Sequence, residues 1–130
     1  MLKLKDIRSG YGDVTIIKGL DLEVEHEIYA ILGANGAGKS PLLKSILGIE
    51  RSLQGKIFFK GKDITHMSTD RIVASGITML PEGRGILPKM LVWENLQLGG
   101  YYSKRNVLKR NMDDVCNRFS ILKTRKVQLA

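Results

Sequence analysis

Residues 33–45, GANGAGKSPLLKS, are the most informative stretch of this sequence for its fold. The first eight residues fit the pattern G-x-x-x-x-G-K-[ST], in which the backbone N–H groups of a glycine-rich loop surround phosphate oxygens. The pattern assigns the cation of Lys39 to the terminal phosphates and the hydroxyl of Ser40 to Mg²⁺. The stretch therefore predicts a phosphate-binding loop, followed by a helix whose positive N-terminus faces the anion.

The flanking residues predict a strand before this loop and a helix after it. Residues 27–32, EIYAIL, are a short apolar run that predicts a strand buried on both faces, as in a parallel sheet. Residues 39–47 carry apolar side chains at helical spacing, and Gly48 suits the position just after a helix. A chance glycine-rich turn would lack this context, so the context favours nucleotide binding.

Hydrophobic patterns predict the remaining elements. Strands are predicted at residues 1–7, 14–25 and 77–80, a turn at 9–13, and a hairpin within 55–65 that turns near Gly61. Helices are predicted at residues 68–76, at 91–98 and from Ser103 onward. The last helix should carry one apolar stripe, formed by Leu108, Met112, Val115, Phe119 and Leu122.

Composition and charge limit the class of protein. The 130 residues are 43% hydrophobic and 26% charged, which indicates one soluble globular domain or part of one. The net charge is +8, but the basic residues are scattered and no aromatic-and-basic module is present, so nucleic acid is not predicted as a partner. Cys116 is the only cysteine, which excludes an internal disulfide and a multi-cysteine metal site, and we expect it half-buried on a helix. Neither a signal peptide nor a membrane helix is predicted, which favours the cytoplasm.

Together with the phosphate loop, further stretches resemble the ATP-binding subunits of ABC transporters. SGYGD at residues 9–13 resembles the family's aromatic loop, which implies that Tyr11 stacks on adenine. GITMLPEGRGILPKMLVWENL at 76–96 resembles the segment that contains the Q-loop, with Glu82 where most members have glutamine. The PEGR variant with ILP and ENL, together with GKDIT at 61–65, resembles the subunits of branched-chain amino-acid importers.

This resemblance implies an α/β protein with the P-loop nucleotide-binding fold of the ABC type, truncated, with an N-terminal antiparallel β subdomain. Residues 1–130 would form the N-terminal part of one ATP-binding domain: its strands, phosphate loop, Q-loop segment and the start of the helical subdomain. ATP and Mg²⁺ would be the cofactors, with Ser40 and, at the Q-loop position, Glu82 next to the metal. The implied ATP contacts are Tyr11, Gly33, Ala34, Asn35, Gly36, Ala37, Gly38, Lys39, Ser40 and Pro41.

The resemblance also implies partners and a role. Two ATP-binding subunits would sandwich two ATP molecules and drive membrane permease subunits from the cytoplasmic face of the cell membrane. The sequence contains no signature motif, no Walker B aspartate and glutamate, and no switch histidine, since His26 and His66 stand in other contexts. We therefore expect no complete catalytic set and inefficient ATP hydrolysis by this chain alone. Two alternatives stay open: an inactive remnant of such a subunit, and a small P-loop kinase, against which Tyr11 and PEGR argue.

Several residues depart from the family pattern. Pro41 replaces a serine or threonine whose N–H and hydroxyl help to hold the α-phosphate, and it should push Ser40 away from helical geometry. Leu91 replaces a threonine that would cap the next helix. The turn before residues 27–32 lacks the usual glycine. Because the strands at 27–32 and 77–80 would lack neighbouring strands, we expect the chain alone to be poorly stable or to aggregate.

Overall fold

The computed structural model describes residues 1–11, 14–50, 54–83 and 85–130, and these form two compact units. The first unit, Met1–Met79, contains β1 (Leu2–Tyr11), β2 (Val14–Val24), α1 (Lys39–Ile46), β3 (Gln54–Phe59), β4 (Lys62–Asp63) and α2 (Thr69–Ala74). The second unit, Leu80–Ala130, contains α3 (Val92–Gly99), α4 (Arg105–Arg118) and α5 (Ile121–Thr124).

The first unit contains a four-stranded antiparallel sheet in the order β2-β1-β3-β4. Strands β3 and β4 form the predicted hairpin, in which Phe59 pairs with Lys62. The two residues between them, Lys60 and Gly61, have φ angles of 51° and 78°. Positive φ at both positions gives the turn a twist that matches the twist of the paired strands. The predicted hairpin and the antiparallel β subdomain are therefore confirmed.

Helix α1 packs on the inner face of this sheet. Its buried side chains include Leu42 and Ile46, which are 4% and 6% exposed. They join one hydrophobic cluster with buried side chains of the sheet, the β4–α2 segment and α2, including Leu4, Ile7, Ile57, Phe59, Ile64 and Ile72. This burial holds α1, and with it the loop that precedes it, against the antiparallel sheet.

The predicted turn at residues 9–13 is wrong for its first part. Strand β1 continues to Tyr11, with Ser9 paired to Ile17 and Tyr11 paired to Val14. The local turn preference is overridden because β2 supplies a hydrogen-bonded partner strand. The pairing of β1 with β2 shifts register between Ser9 and Gly10, which accommodates the turn-forming residues within the strand. The last two residues of the predicted turn lie outside the described residues.

The predicted strands at residues 27–32 and 77–80 are also wrong. Neither segment is a strand, and neither pairs with a strand in the described parts of the chain. Ile28 is 102% exposed and Leu32 is 90% exposed, the opposite of a strand covered on both faces. A buried parallel strand needs neighbours on both sides, and sequence periodicity does not show whether they are present.

In the second unit, the buried face of the last long helix differs from the predicted apolar stripe. Met112 and Cys116 of α4 are 5% and 3% exposed, so the cysteine is more deeply buried than expected. Phe119 was predicted on the same face but is 59% exposed, because α4 ends at Arg118 and the chain turns before α5.

Within the described ranges, none of the helices has the length and apolar character needed to cross a membrane.

Candidate phosphate-binding site

Glycines give the loop before α1 its shape. Gly36 and Gly38 have φ angles of 84° and 94°, in the left-handed region that side chains with a Cβ rarely adopt. A Cβ on Gly38 would also lie 2.9 Å from Cγ2 of Ile16 and 3.1 Å from Cγ1 of Ile17. Residue 38 must therefore be glycine for two reasons: its backbone conformation and its close approach to β2.

Helix α1 begins directly at the end of the loop. The first intrahelical bond is donated by the Leu42 N–H to the carbonyl of Gly38, at 2.9 Å. The backbone N–H groups of Lys39 and Ser40 bond to no described residue, no side chain caps the helix, and its first turn holds no acidic residue. Unpaired donors at a helix N-terminus attract anions. The donors present at this loop thus fit a phosphate group.

Lys39 adds a positive charge to the same loop. Its Nζ donates to the carbonyl oxygen of Gly33 at 2.6 Å and to that of Ala34 at 2.7 Å. The ammonium group thus bonds to the first two residues of the loop. A phosphate bound there would compete with these carbonyls for the lysine, and as an anion it would form the stronger, charge-assisted bond.

Pro41 occupies the first turn of α1, where its missing N–H interrupts no intrahelical bond. Ser40 is helical although a proline follows it, so the expected displacement of Ser40 from helical geometry is wrong. The packing of Leu42 and Ile46 into the core holds α1 in place and overrides the local preference. Ser40 is exposed, which leaves its hydroxyl accessible for a Mg²⁺ ion.

The other residues expected to contact ATP or its metal lie outside this loop. Tyr11 ends β1 and pairs with Val14, but its side chain lies outside the described part of the structure. Glu82 is exposed in a turn of the second unit, next to Gly83 with φ of 84°. Arg84, the last residue of the PEGR stretch, lies outside the described residues. The roles of Tyr11 and Glu82 stay predictions, and the described ranges contain no group of three or more His, Cys, Asp or Glu side chains suited to a metal.

The ABC transporter family model matches residues 17–130. The chain belongs to the ABC transporter family. It is similar to the high-affinity branched-chain amino acid transport ATP-binding protein BraG of Pseudomonas aeruginosa, with 33% identity over 100% of this chain and 56% of that protein. A probable branched-chain amino acid transport ATP-binding protein, LivF of Archaeoglobus fulgidus, is 31% identical over 95% of this chain and 52% of its own length.

Other relatives and structures agree with this family. The galactose/methyl galactoside import ATP-binding protein MglA of Escherichia coli O157:H7 is 34% identical over 80% of this chain and 21% of that protein. A solved ATP-binding subunit of an ABC transporter aligns with a TM-score of 0.84 and 23% identity, over 99% of this chain and 54% of that one. A nucleotide-free ATP-binding cassette aligns with a TM-score of 0.81 and 23% identity, over 100% and 57%. These structures confirm the ABC-type fold, and the chain spans about half the length of the branched-chain amino acid relatives it matches.

In this ABC-family chain, sequence reasoning missed the role of Asn95 in the loop that follows the Q-loop position. The side-chain oxygen of Asn95 accepts the N–H of Leu87 at 2.9 Å. Its Nδ2 donates to the carbonyls of Leu87 at 3.0 Å and Leu91 at 3.1 Å. This amide therefore fastens residues 87–91 to α3. The sequence offered two signals for this residue: it lies in the ENL stretch that resembles the family, and asparagine is a poor helix former inside a predicted helix.

The N-terminus of α3 in this ABC-family chain is capped mainly by backbone carbonyls. The N–H of Val92 bonds to Gln128 O at 2.9 Å, and that of Trp93 bonds to Lys126 O at 3.1 Å. The carboxylate of Glu94 accepts the N–H of Leu91 at 2.8 Å, which is one half of a capping box. The N–H of Glu94 itself has no partner among the described residues, because a leucine side chain cannot accept it.

A hydrogen-bond acceptor in the side chain of residue 91 should strengthen the N-cap of α3. Leu91→Thr is expected to be about 1 kcal/mol more stable than Leu91→Val, because only the threonine hydroxyl can accept the Glu94 N–H. Valine is the matched control, since it has the same shape as threonine and shares the loss of the leucine side chain. Urea denaturation of the two variants measures the difference, and equal free energies of unfolding would contradict the cap.

Proposed function

We propose that this chain binds ATP with Mg²⁺ at the phosphate loop, as the N-terminal part of the ATP-binding domain of an ABC importer. The observation that carries the proposal is the junction of the loop and α1. There, left-handed glycines, N–H groups that have no partner among the described residues and the ammonium group of Lys39 lie within one short segment. These groups suit a polyphosphate because the N–H groups and the ammonium group stabilise negative charge, while the glycines allow the loop conformation.

Each proposed contact follows from a residue's chemistry and its position. Lys39 would move from the loop carbonyls to the terminal phosphates, and the hydroxyl of Ser40 would bind Mg²⁺. Tyr11 would stack on the base, and Glu82 is proposed as a further group near the metal. ATP supplies the free energy for transport, while the residues of this chain bind and orient it. We assign no hydrolytic step to them.

The proposed transport substrate is a branched-chain amino acid. Two relatives named for branched-chain amino acid transport match 100% and 95% of this chain, whereas the sugar-import relative matches 80%. We propose permease subunits of a membrane importer and a second ATP-binding subunit as partners. The chain would then act at the cytoplasmic face of the membrane.

A second candidate is an inactive remnant of such a subunit. Pro41 favours this candidate, because it removes one of the backbone donors that the first turn of α1 would offer to a phosphate. The two candidates differ in a measurable property, which is whether the chain as it stands binds nucleotide at this loop.

Titration with Mg·ATP tests the proposed function. We expect saturable binding of one ATP per chain that tripolyphosphate displaces. Lys39→Ala should weaken this binding by about tenfold, the low end for a charged hydrogen bond, because Lys39 gives up two carbonyl bonds when it binds phosphate. Lys62→Ala is the control, since it removes an exposed cation from β4 in the same unit. Absence of saturable binding, or equal affinities for the three proteins, would support the inactive remnant instead.

A further inference from the structure

Two buried hydroxyl groups join α1 to the sheet. Ser9 of β1 and Ser45 of α1 are 1% and 4% exposed, and their Oγ atoms lie 3.0 Å apart. In the described parts of the chain, they are the only polar or charged residues that are buried. A buried hydroxyl costs free energy unless it is hydrogen-bonded, so the pair is constrained to keep this contact.

The contact connects the two parts of the proposed nucleotide site that lie in the first unit. Ser9 stands two residues before Tyr11 on β1, and Ser45 lies on the helix that begins with Lys39. Ser9 is also paired in register with Ile17, one of the two residues whose side chains lie against the Gly38 position. The end of the β1–β2 pair and the phosphate loop are therefore held together by the hydroxyl pair and by close packing at Gly38.

A hydrogen bond adds direction, which apolar packing lacks. Hydrophobic side chains at these two positions would also exclude water and pack closely, but a hydroxyl pair in addition restricts the distance and the angle between the two Oγ atoms. The distance matters because a nucleotide can span only a limited range of separations between its base and its phosphates. A helix that shifted relative to β1 would engage one end of the nucleotide at the expense of the other.

We propose that the Ser9–Ser45 hydrogen bond is a positioning contact that sets the span between the base-binding end of β1 and the phosphate loop. It thereby determines how well a single nucleotide engages both ends. This inference rests on the proposed function, because it takes Tyr11 and the phosphate loop as the two ends of one ATP site. It assigns neither serine a contact with the nucleotide.

The double variant Ser9→Ala/Ser45→Ala, made in the whole chain, tests this inference. Removing both hydroxyls leaves no unpaired buried partner, so the free energy of unfolding should change little. Calorimetric titration then compares Mg·ATP with Mg·tripolyphosphate, which carries the phosphates but no base. We expect ATP binding to weaken by about fivefold and tripolyphosphate binding to stay within about twofold of the wild type.

Controls separate positioning from general destabilisation. Ser75→Ala removes a hydroxyl of the same unit that bonds within its own helical turn, to Ile72 O at 2.6 Å, and should leave both affinities unchanged. The single variants Ser9→Ala and Ser45→Ala should each give the same ATP-to-tripolyphosphate ratio as the double variant, although each leaves one buried hydroxyl unpaired and should be less stable than the double variant. Because the test reads a ratio of two affinities for the same protein, a partly unfolded fraction lowers both apparent affinities alike and leaves the ratio unchanged. Equal weakening of both ligands, or no change in either, overturns the inference while the proposed function stands. A wild type that binds neither ligand overturns both.

Discussion

Replacing Pro41 by threonine is expected to strengthen Mg·ATP binding by about ten- to a hundredfold. The structure shows why a gain is available: α1 already begins at Lys39, and Ser40 is already helical, so the helix needs no rearrangement. Threonine restores a backbone N–H at the first turn and adds a hydroxyl beside it. Both groups can donate hydrogen bonds to a phosphate oxygen, and bonds to charged groups are the stronger class.

Matched variants separate these two contributions. Pro41→Ala restores the N–H alone and should show part of the gain in affinity, while Pro88→Ala in the second unit should show none.

The free energy of unfolding of the ligand-free protein should decrease. Proline restricts the unfolded chain, so Pro41→Thr is expected to lower the free energy of unfolding by up to about 1 kcal/mol. Equal dissociation constants for wild type and Pro41→Thr, measured by calorimetry with Mg·ATP, would refute the argument.

Residues 27–32 are expected to drive self-association of the isolated chain. Ile28, Tyr29 and Leu32 are 102%, 53% and 90% exposed, and no backbone hydrogen bond joins these six residues to the described parts of the chain. A short apolar segment with unpaired backbone groups can pair with the same segment of another molecule. The double variant Ile28→Lys/Leu32→Lys should therefore be largely monomeric at concentrations where the wild type forms large assemblies.

Light scattering and size-exclusion chromatography measure this difference. Val14→Lys/Val127→Lys is the control, because it adds the same charge at two exposed valines outside the segment, which are 65% and 80% exposed. If the control disperses the assemblies as well as the test variant does, net charge is the cause and the segment is not. A wild-type monomer with a sharp two-state thermal transition would contradict the expected association altogether.

Local sequence signals predicted the elements that local interactions stabilise. The hairpin at Lys60 and Gly61 and the glycine loop depend on backbone conformations that neighbouring residues impose, whereas the helix from Lys39 also needs the packing of Leu42 and Ile46 into the core. The strands predicted at 27–32 and 77–80 failed for the opposite reason. An apolar run shows that a segment can be buried, but whether it is buried depends on strands that lie far away along the chain.

The same distinction applies to the candidate site. The pattern around Lys39 predicts the phosphate loop, since that chemistry requires fixed spacing, and its role stays a prediction. The contact between Ser9 and Ser45 could not be found this way, because the residues are 36 positions apart and serine is usually a surface residue. Asn95 was noticed only as part of a family motif, and its hydrogen bonds to residues 87 and 91 gave that motif a structural explanation.

The bonds from Lys39 to Gly33 and Ala34 affect how a ligand enters the loop. The loop carbonyls already hold the ammonium group, so binding of the proposed nucleotide would exchange the partners of the lysine. The barrier to binding would then include the release of the cation from two carbonyls, and the lysine would return to them as the nucleotide leaves. The carbonyls of Gly33 and Ala34 would thus compete with the nucleotide for Lys39 and weaken the complex.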